Sequence, residues 1–212
     1  MRRLPVYLII DTSFSMRGEP IEAVKNGIRS LLTTLRTDPY ALETVFISLI
    51  TFNSEAAQIV PLTELYLFQL VDFEANGRSA LGAALKLVKT KIDKDFIKTN
   101  SEQKGDWKPL IFLMTDGGST DAWKTAAKEL RSLSLGMLLA CGVGQKANIP
   151  VLKRISDYVV QIDSINSHSI NEFFKWVSSS IATNSKKIES FSKELSDYKE
   201  LPPLPDEIKL LI

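Results

Sequence analysis

Residues 6–15 read Val-Tyr-Leu-Ile-Ile-Asp-Thr-Ser-Phe-Ser, an apolar run that ends abruptly in a polar segment. The apolar part is rich in β-branched and aromatic side chains, which is typical of a strand buried on both faces. The polar segment continues through Gly18, and apolar residues then recur at helical spacing from Ile21 to Leu35. A buried strand, a polar loop and an amphipathic helix in this order predict the first unit of an α/β fold.

The rest of the chain repeats this alternation of strand and helix. Strands are predicted at 44–52, 110–114, 135–143 and 158–162, with a hairpin partner at 56–60, and helices at 81–92, 122–133, 149–155 and 170–181. Because the strands are continuous apolar runs, the pattern predicts a doubly wound α/β domain, with a mostly parallel central sheet and helices on both faces.

We expect the domain to span residues 1–183. From residue 184 onward Ser and Lys become frequent, and Leu-Pro-Pro-Leu-Pro at 201–205 cannot continue a helix. Residues 184–212 are therefore predicted to form a C-terminal tail that is partly extended, is Pro-rich near its end and could dock on the domain. Asp206 and Glu207 follow the prolines, and their carboxylates could reach a metal-bearing face, either of the same molecule or of a neighbouring one.

The composition excludes several classes of function. The 212 residues are 44% hydrophobic and 24% charged, as in an ordinary globular protein, and the net charge of +1 argues against binding nucleic acid or acidic membranes through bulk charge. The single cysteine, Cys141, can form neither an intrachain disulfide nor a Cys-rich zinc site. Apolar runs such as 110–114 are far shorter than the roughly 18 residues of a membrane span. Asp11 ends the first run too early for a signal peptide. We expect a cytoplasmic monomer without membrane insertion.

Polar side chains collect where ligands of such sheets bind, outside the carboxyl ends of the strands. Asp11, Ser13 and Ser15 follow the first strand, Asp116 follows the strand at 110–114, and Ser79 precedes the helix at 81–92. All of these groups are oxygen donors, which suit Mg²⁺ or Mn²⁺ with water completing the octahedron. Two carboxylates nearly neutralise a divalent ion, so a further anion could still bind at an open position.

Each of these residues also has a purely structural interpretation. Asp11 could cap a turn, and Ser13 or Ser15 could cap the following helix. Asp116 could be a turn residue before a glycine, and Ser79 could be the N-cap of the next helix.

Asp11, Ser13 and Ser15 form an Asp-x-Ser-x-Ser pattern that resembles the von Willebrand factor A-like domains. Together with Ser79 and Asp116, the pattern is similar to the metal-ion-dependent adhesion site of that family. The resemblance implies that the serine hydroxyls bind the metal directly and that the aspartates bind it directly or through water. An Asp or Glu of a partner protein would supply the missing ligand. Mg²⁺ is the expected metal, with Mn²⁺ or Ca²⁺ as alternatives.

Two positions depart from the pattern of that family. Phe14 stands between the serines, where the family usually has glycine, and Ser79 stands where it usually has threonine. Serine keeps the hydroxyl but lacks the stiffening methyl group. Phenylalanine adopts left-handed backbone conformations less readily than glycine, so a loop that needed one would be strained.

Other segments resemble the tellurite-resistance-associated TerY-type subfamily, over almost the whole chain. They are Arg-Gly-Glu-Pro-Ile at 17–21, Asp-Pro-Tyr-Ala-Leu-Glu at 38–43, Pro-Leu-Thr-Glu-Leu at 61–65, Lys-Gly-Asp-Trp at 104–107, Phe-Leu-Met-Thr-Asp-Gly at 112–117 and Phe-Phe-Lys-Trp-Val-Ser at 173–178. This resemblance implies a bacterial chemical-stress setting, with kinase-like or phosphatase-like proteins as partners.

The leading hypothesis is a non-enzymatic, metal-dependent protein-interaction module. Phe14, Arg17 and Arg78 flank the predicted site in sequence and are candidate partner-binding residues, although the arginines could equally be ordinary solvated side chains. The alternative is a metal-dependent phosphatase or phosphoryl-accepting protein that uses Asp11. Ser13 argues against this alternative, because it stands where such chemistry places a second carboxylate.

Overall fold

In the computed structural model, which describes residues 2–189 and 201–211, seven strands and six helices follow one another along the chain. The strands are β1 (Leu4–Asp11), β2 (Val45–Phe52), β3 (Ala56–Glu64), β4 (Leu110–Thr115), β5 (Met137–Val143), β6 (Tyr158–Ile162) and β7 (Ile208–Leu210). The helices are α1 (Glu19–Leu35), α2 (Pro39–Thr44), α3 (Leu81–Asp95), α4 (Trp123–Arg131), α5 (Ile149–Ile155) and α6 (Ser167–Glu189). Within these described ranges, no helix combines the length and hydrophobicity that crossing a membrane requires.

The strands form one sheet in the order β3-β2-β1-β4-β5-β6-β7. The five inner strands are parallel, and β3 and β7 are antiparallel edge strands. The predicted doubly wound, mostly parallel sheet is thereby confirmed. Because β1 pairs with β4 and Ile10 lies opposite Met114, Asp11 and Asp116 come from neighbouring strand ends. The chain order reverses at β1, which is where ligands of open α/β sheets bind.

Both faces of β1 are buried, and its alternate residues contribute to different cores. Val6 and Leu8 pack in the core that contains residues of α1 and α6, whereas Tyr7 and Ile9 pack in the core that contains residues of α3, α4 and α5. Because neither face of β1 meets solvent, apolar residues occupy successive positions, as expected for a strand buried on both faces. Asp11 is the last residue of this strand and is itself fully buried.

The C-terminal part of the chain contains a longer last helix than predicted and an additional edge strand. Helix α6 continues past residue 184, where the sequence placed the domain boundary, and Ile208–Leu210 add β7 to the sheet. The indole Nε1 of Trp176 on α6 donates a hydrogen bond to the carbonyl of Pro202 at 2.9 Å. Glu207 Oε1 lies 3.0 Å from His168 Nε2. The described part of the predicted tail therefore packs on the domain, and residues 190–200 lie outside the described ranges.

Helix α2 is a second element that the sequence pattern did not predict. Asp38 and Pro39 end α1, as expected, but Pro39 also begins α2. The Asp38 carboxylate caps this helix by accepting hydrogen bonds from the amides of Tyr40 at 3.0 Å and Ala41 at 3.4 Å. Since α2 leads directly into β2, this cap lies at the amino edge of the sheet, opposite the loops that follow the strands.

Candidate metal site

Three segments meet at the carboxyl edge of the sheet: the loop after β1, the segment before α3 and the loop after β4. The Phe14 amide donates to the carbonyl of Gly77 at 3.0 Å, which joins the first segment to the second. The amide of Thr120 donates to the carbonyl of Ser79 at 2.8 Å, which joins the second to the third. Backbone hydrogen bonds therefore join the three segments to one another.

The carboxylate of Asp11 connects all three segments. Its Oδ1 accepts a hydrogen bond from the amide of Ser13 at 2.8 Å. Its Oδ2 accepts from the hydroxyl of Ser79 at 3.1 Å and from the hydroxyl of Thr115 at 2.6 Å. Of the residues that the sequence proposed, Ser13 and Ser79 thus share Asp11 as an acceptor at the end of β1.

The environment of Asp11 disfavours a negative charge. Burial raises the pKa of its carboxyl above the ordinary value, and the nearby charge of Asp116 adds to this rise in pKa. Hydrogen bonds from Ser13 and Thr115 oppose the effect of burial. A cation placed beside Asp11 would compensate for the hydration that the carboxylate has lost.

Ser13 and Ser15 extend the set of oxygen atoms toward the surface. Their Oγ atoms lie 3.1 Å apart, with Ser13 buried and Ser15 exposed. Phe14, between them, begins a 3₁₀ turn that ends at Met16. This right-handed turn accepts any side chain, so the loop does not need the glycine that is usual in the family.

Asp116 lies in a tight turn directly after β4. Its Oδ1 accepts a hydrogen bond from the amide of Gly118 at 2.8 Å, and its carbonyl accepts from the amide of Asn148 at 2.7 Å. Gly117 has a φ of +73°, and a Cβ there would lie 3.1 Å from the Asn148 carbonyl oxygen. The turn therefore requires glycine, both for its backbone conformation and for its close contact with the loop before α5.

The structural interpretations of these residues hold only in part. Asp11 and Asp116 each accept an amide two residues further on, so both also stabilise turns. Ser13 makes no side-chain cap. Ser79 does not cap α3, because the N-cap position is Ala80 and the Ser79 hydroxyl donates to Asp11 instead.

Two residues of this region, Thr115 and Asp121, were not among the site residues predicted from the sequence. Thr115 contributes a hydroxyl to Asp11, and its position next to Asp116 at a strand end was the available signal. Asp121 accepts hydrogen bonds from the amides of Gly82 and Ala83 at 2.7 and 2.8 Å. Its partners are 39 and 38 residues away in sequence, so no local pattern identifies it.

The surface beside these oxygen atoms is aromatic and basic. The Phe14 side chain is 64% exposed. The Arg17 guanidinium lies 5.7 Å from the centre of its ring, a favourable distance for a cation–π contact. Arg78 is also exposed, and its amide donates to the hydroxyl of Ser54 at 3.1 Å.

This set of residues fits a hard divalent cation. Asp11 and Asp116 provide carboxylates, and Ser13, Ser15 and Ser79 provide hydroxyl oxygens. Across residues 2–189 and 201–211, no group of three or more His, Cys, Asp and Glu side chains is arranged to hold a metal. A metal at the end of β1 would therefore depend on hydroxyl ligands, which Mg²⁺ and Ca²⁺ accept in proteins.

The fold and the site together define the class of this protein: a doubly wound α/β domain with oxygen donors grouped at the switch point of its sheet, where ligands of such folds bind. The sequence profile of the von Willebrand factor type A domain matches residues 6–195, and the chain belongs to this family. The comparison with curated proteins gave no match.

Several solved structures share the fold. A von Willebrand factor type A protein from Catenulispora acidiphila is 20% identical, with a TM-score of 0.62 over 86% of this chain and 43% of that chain. Proximal thread matrix protein 1 from the mussel byssus, with a zinc-occupied MIDAS motif, is 18% identical, with a TM-score of 0.59 over 84% and 48%. The pilus adhesin SpaC from Lactobacillus rhamnosus GG, in an open conformation, is 13% identical, with a TM-score of 0.68 over 87% and 30%. The chain thus spans less than half of each of these proteins, and the likeness establishes the fold alone.

Proposed function

We propose that this domain is a divalent-metal-dependent protein-interaction module, in which the bound metal takes an Asp or Glu side chain from a partner protein. The observation that carries the proposal is the network around Asp11, whose buried carboxylate accepts donors from three separate segments. Exposed Ser15 and Phe14 lie beside this network. The buried part is suited to holding a cation, and the exposed part is suited to contact with a partner.

The hydrogen bonds to Asp11 prepare the hydroxyl oxygens for a cation. Ser79 donates its only hydroxyl proton to Asp11, which leaves the lone pairs of its Oγ available to a metal. Thr115 also donates to Asp11, but its oxygen accepts from the amide of Gly117 at 3.0 Å. We therefore assign Ser13, Ser15, Ser79, Asp11 and Asp116 to the metal, and Thr115 to the support of Asp11. When bound, the metal would supply a positive charge and an open coordination position for the carboxylate of the partner.

Magnesium is the metal that the donor set favours, with Mn²⁺ or Ca²⁺ as alternatives. Hydroxyl and carboxylate oxygens are hard ligands, and no imidazole or thiolate is among the assigned residues. The zinc-occupied MIDAS motif of the mussel byssus protein supports the view that domains of this fold accept divalent metals at such a site.

Three observations support a binding role over the phosphatase or phosphoryl-acceptor alternative. Asp11 is 0% exposed, so a phosphoryl group could reach its carboxylate only if the surrounding loops opened. Ser13 occupies the position at which that chemistry places a second carboxylate. The thiol of Cys141 is buried, and burial raises its pKa, which makes it a poor nucleophile.

For the cellular setting, we propose a bacterial chemical-stress system of the tellurite-resistance type. Support comes from the sequence segments that resemble TerY-type proteins, which also suggest kinase-like or phosphatase-like partners. The free, buried Cys141 is consistent with a reducing cytoplasm. The near-zero net charge favours a protein partner over nucleic acid.

The proposal is tested by capture of partners on the immobilised chain. Extract of the source cell is passed over the chain in Mg²⁺, and then in excess EDTA. We expect a protein to be retained in Mg²⁺, released by EDTA and recaptured when Mg²⁺ is restored. Replacing one acidic residue of that partner should abolish its retention. A partner that stays bound to this face in EDTA would contradict the proposal.

Reversing the charges at Arg17 and Arg78 should slow association with the captured partner. An acidic partner is attracted by basic residues near the metal, so the double variant Arg17→Glu, Arg78→Glu should associate about 10-fold more slowly at low salt. The difference should shrink as ionic strength rises, because salt screens exposed charges. Surface plasmon resonance at several salt concentrations measures this effect.

The matched control reverses Lys94 and Lys98, two exposed residues at and just beyond the end of α3, away from the site. This control carries the same change in net charge. Equal slowing in both double variants would show that the rate follows the total charge of the domain and not the basic residues beside the site.

A further inference from the structure

Asp121 caps a helix that belongs to a different part of the chain. Its Oδ1 accepts from the amide of Gly82 at 2.7 Å, and its Oδ2 accepts from the amide of Ala83 at 2.8 Å. The hydroxyl of Ser119 donates to the same Oδ1 at 2.9 Å. Gly82 and Ala83 lie in the first turn of α3, and the N-cap residue Ala80 offers no side-chain acceptor. Asp121 therefore supplies the cap that the local sequence lacks.

The neighbouring residue, Thr120, binds the backbone just before α3. The amide of Thr120 donates to the carbonyl of Ser79 at 2.8 Å, and its hydroxyl donates to that carbonyl at 3.0 Å. Two sets of hydrogen bonds therefore hold Ser79: those of Thr120 to its carbonyl, and those of Asp121 to the first turn of α3 just after it. Thr120 and Asp121 both belong to the loop that begins with Asp116.

We propose that Asp121 is a positioning residue for the metal site, a role that depends on the proposed metal-binding function. A cap supplied by the residues just before α3 would stabilise that helix but would not tie it to another loop. A cap from the Asp116 loop instead fixes the separation between Asp116 and Ser79, two of the assigned ligands. It also holds the Ser79 hydroxyl toward Asp11. Removing a group that orients metal ligands in this way commonly lowers metal affinity 10- to 100-fold.

The test compares Mn²⁺ binding by variants of the full chain, measured by isothermal titration calorimetry. Asp121→Ala should weaken Mn²⁺ binding about 10-fold. Asp121→Asn keeps one carbonyl acceptor for the helix amides and should restore part of the affinity. All titrations are made at a temperature at which circular dichroism shows that each variant is folded.

The matched control is Asp38→Ala, which removes another aspartate cap, that of α2, at the opposite edge of the sheet. Asp38 also forms an ion pair with Lys186 at 3.0 Å, so its loss should destabilise the domain at least as much. We expect Asp38→Ala to bind Mn²⁺ like the unmodified chain. Amide hydrogen exchange without metal should show faster exchange at Gly82 and Ala83 only in the Asp121 variants.

Unchanged Mn²⁺ affinity in Asp121→Ala, or an equal loss in Asp38→Ala, would overturn the positioning role while leaving the metal site in place. Failure of the unmodified chain to bind Mn²⁺ would overturn the proposed function, and with it the role of Asp121 toward a metal.

Discussion

Replacing Asp11 with alanine is expected to weaken binding of Mg²⁺ or Mn²⁺ by at least about 100-fold, while the domain stays folded. The change removes a ligand and also removes the acceptor that orients Ser79. The hydroxyl of Ser79 would then be free to rotate away from the metal. Isothermal titration calorimetry measures the affinity, and capture of the partner in Mg²⁺ should be lost in parallel.

The fold should survive this change because the charge of Asp11 is not a favourable interaction in the metal-free domain. Burial raises the pKa of Asp11, so removing the carboxylate relieves a desolvation penalty. Against this gain, the amide of Ser13 and the hydroxyls of Ser79 and Thr115 lose an acceptor, at about 1–3 kcal/mol for a buried group that finds no other partner. We expect the free energy of unfolding without metal to change by no more than about 2 kcal/mol, as measured by urea denaturation.

Two further variants separate the roles of charge and shape. Asp11→Asn keeps the size of the side chain and can still bond to Ser13, so it should fold normally and yet bind metal poorly. Thr12→Val removes a buried hydroxyl whose hydrogen bond, 3.0 Å to the carbonyl of Phe52, belongs to the scaffold. This control should bind metal within about threefold of the unmodified chain. Tight metal binding by Asp11→Ala would contradict the assignment of Asp11 as a ligand.

Much of the arrangement around Asp11 could be predicted because parallel strands impose it. The run at residues 6–10 and the run at 110–114 are apolar throughout, so both were expected to be buried inner strands. Once two such strands are parallel, the polar residues that follow them lie at one edge of the sheet. That Asp11 and Asp116 lie at the same edge follows from this geometry, whereas their proximity depends on the pairing of β1 with β4, which the structure shows.

The remaining features depend on contacts between residues far apart in sequence. Asp121 caps α3 from another loop, and β7 pairs with β6 across residues that include a Pro-rich segment. Local periodicity carries no information about such partners. Helix α2 was missed for a different reason, since Pro39 signals both the end of one helix and the start of another.

Phe14 departs from the family pattern in a way that makes it a candidate determinant of partner choice. A glycine between the two serines would present no side chain at this surface. Here the amide of Phe14 is fixed by its hydrogen bond to Gly77, and its ring stands 64% exposed beside Ser15. Such a rigidly based aromatic side chain loses little entropy on binding and buries a large apolar area.

Truncating this side chain, Phe14→Ala, should weaken binding of the captured partner about 30-fold, which corresponds to about 2 kcal/mol for an aromatic residue central to an interface. Metal affinity should change by less than about threefold, because the aromatic ring is not among the assigned ligands. The partner is titrated in saturating Mg²⁺, and Mn²⁺ binding is measured separately on the same variant. This combination of results distinguishes a contact with the partner from a change in the metal site.

Tyr66 offers a matched control for the loss of an exposed aromatic ring. It is 75% exposed and follows β3, whose last residues lie at the amino edge of the sheet, opposite the metal site. Tyr66→Ala should therefore leave partner binding unchanged. Equal weakening in both variants would indicate that the partner covers a much larger surface than the metal edge. Weakened Mn²⁺ binding in Phe14→Ala would instead mean that the ring supports the loop carrying Ser13 and Ser15, and that the partner is selected by the metal and its basic surroundings alone.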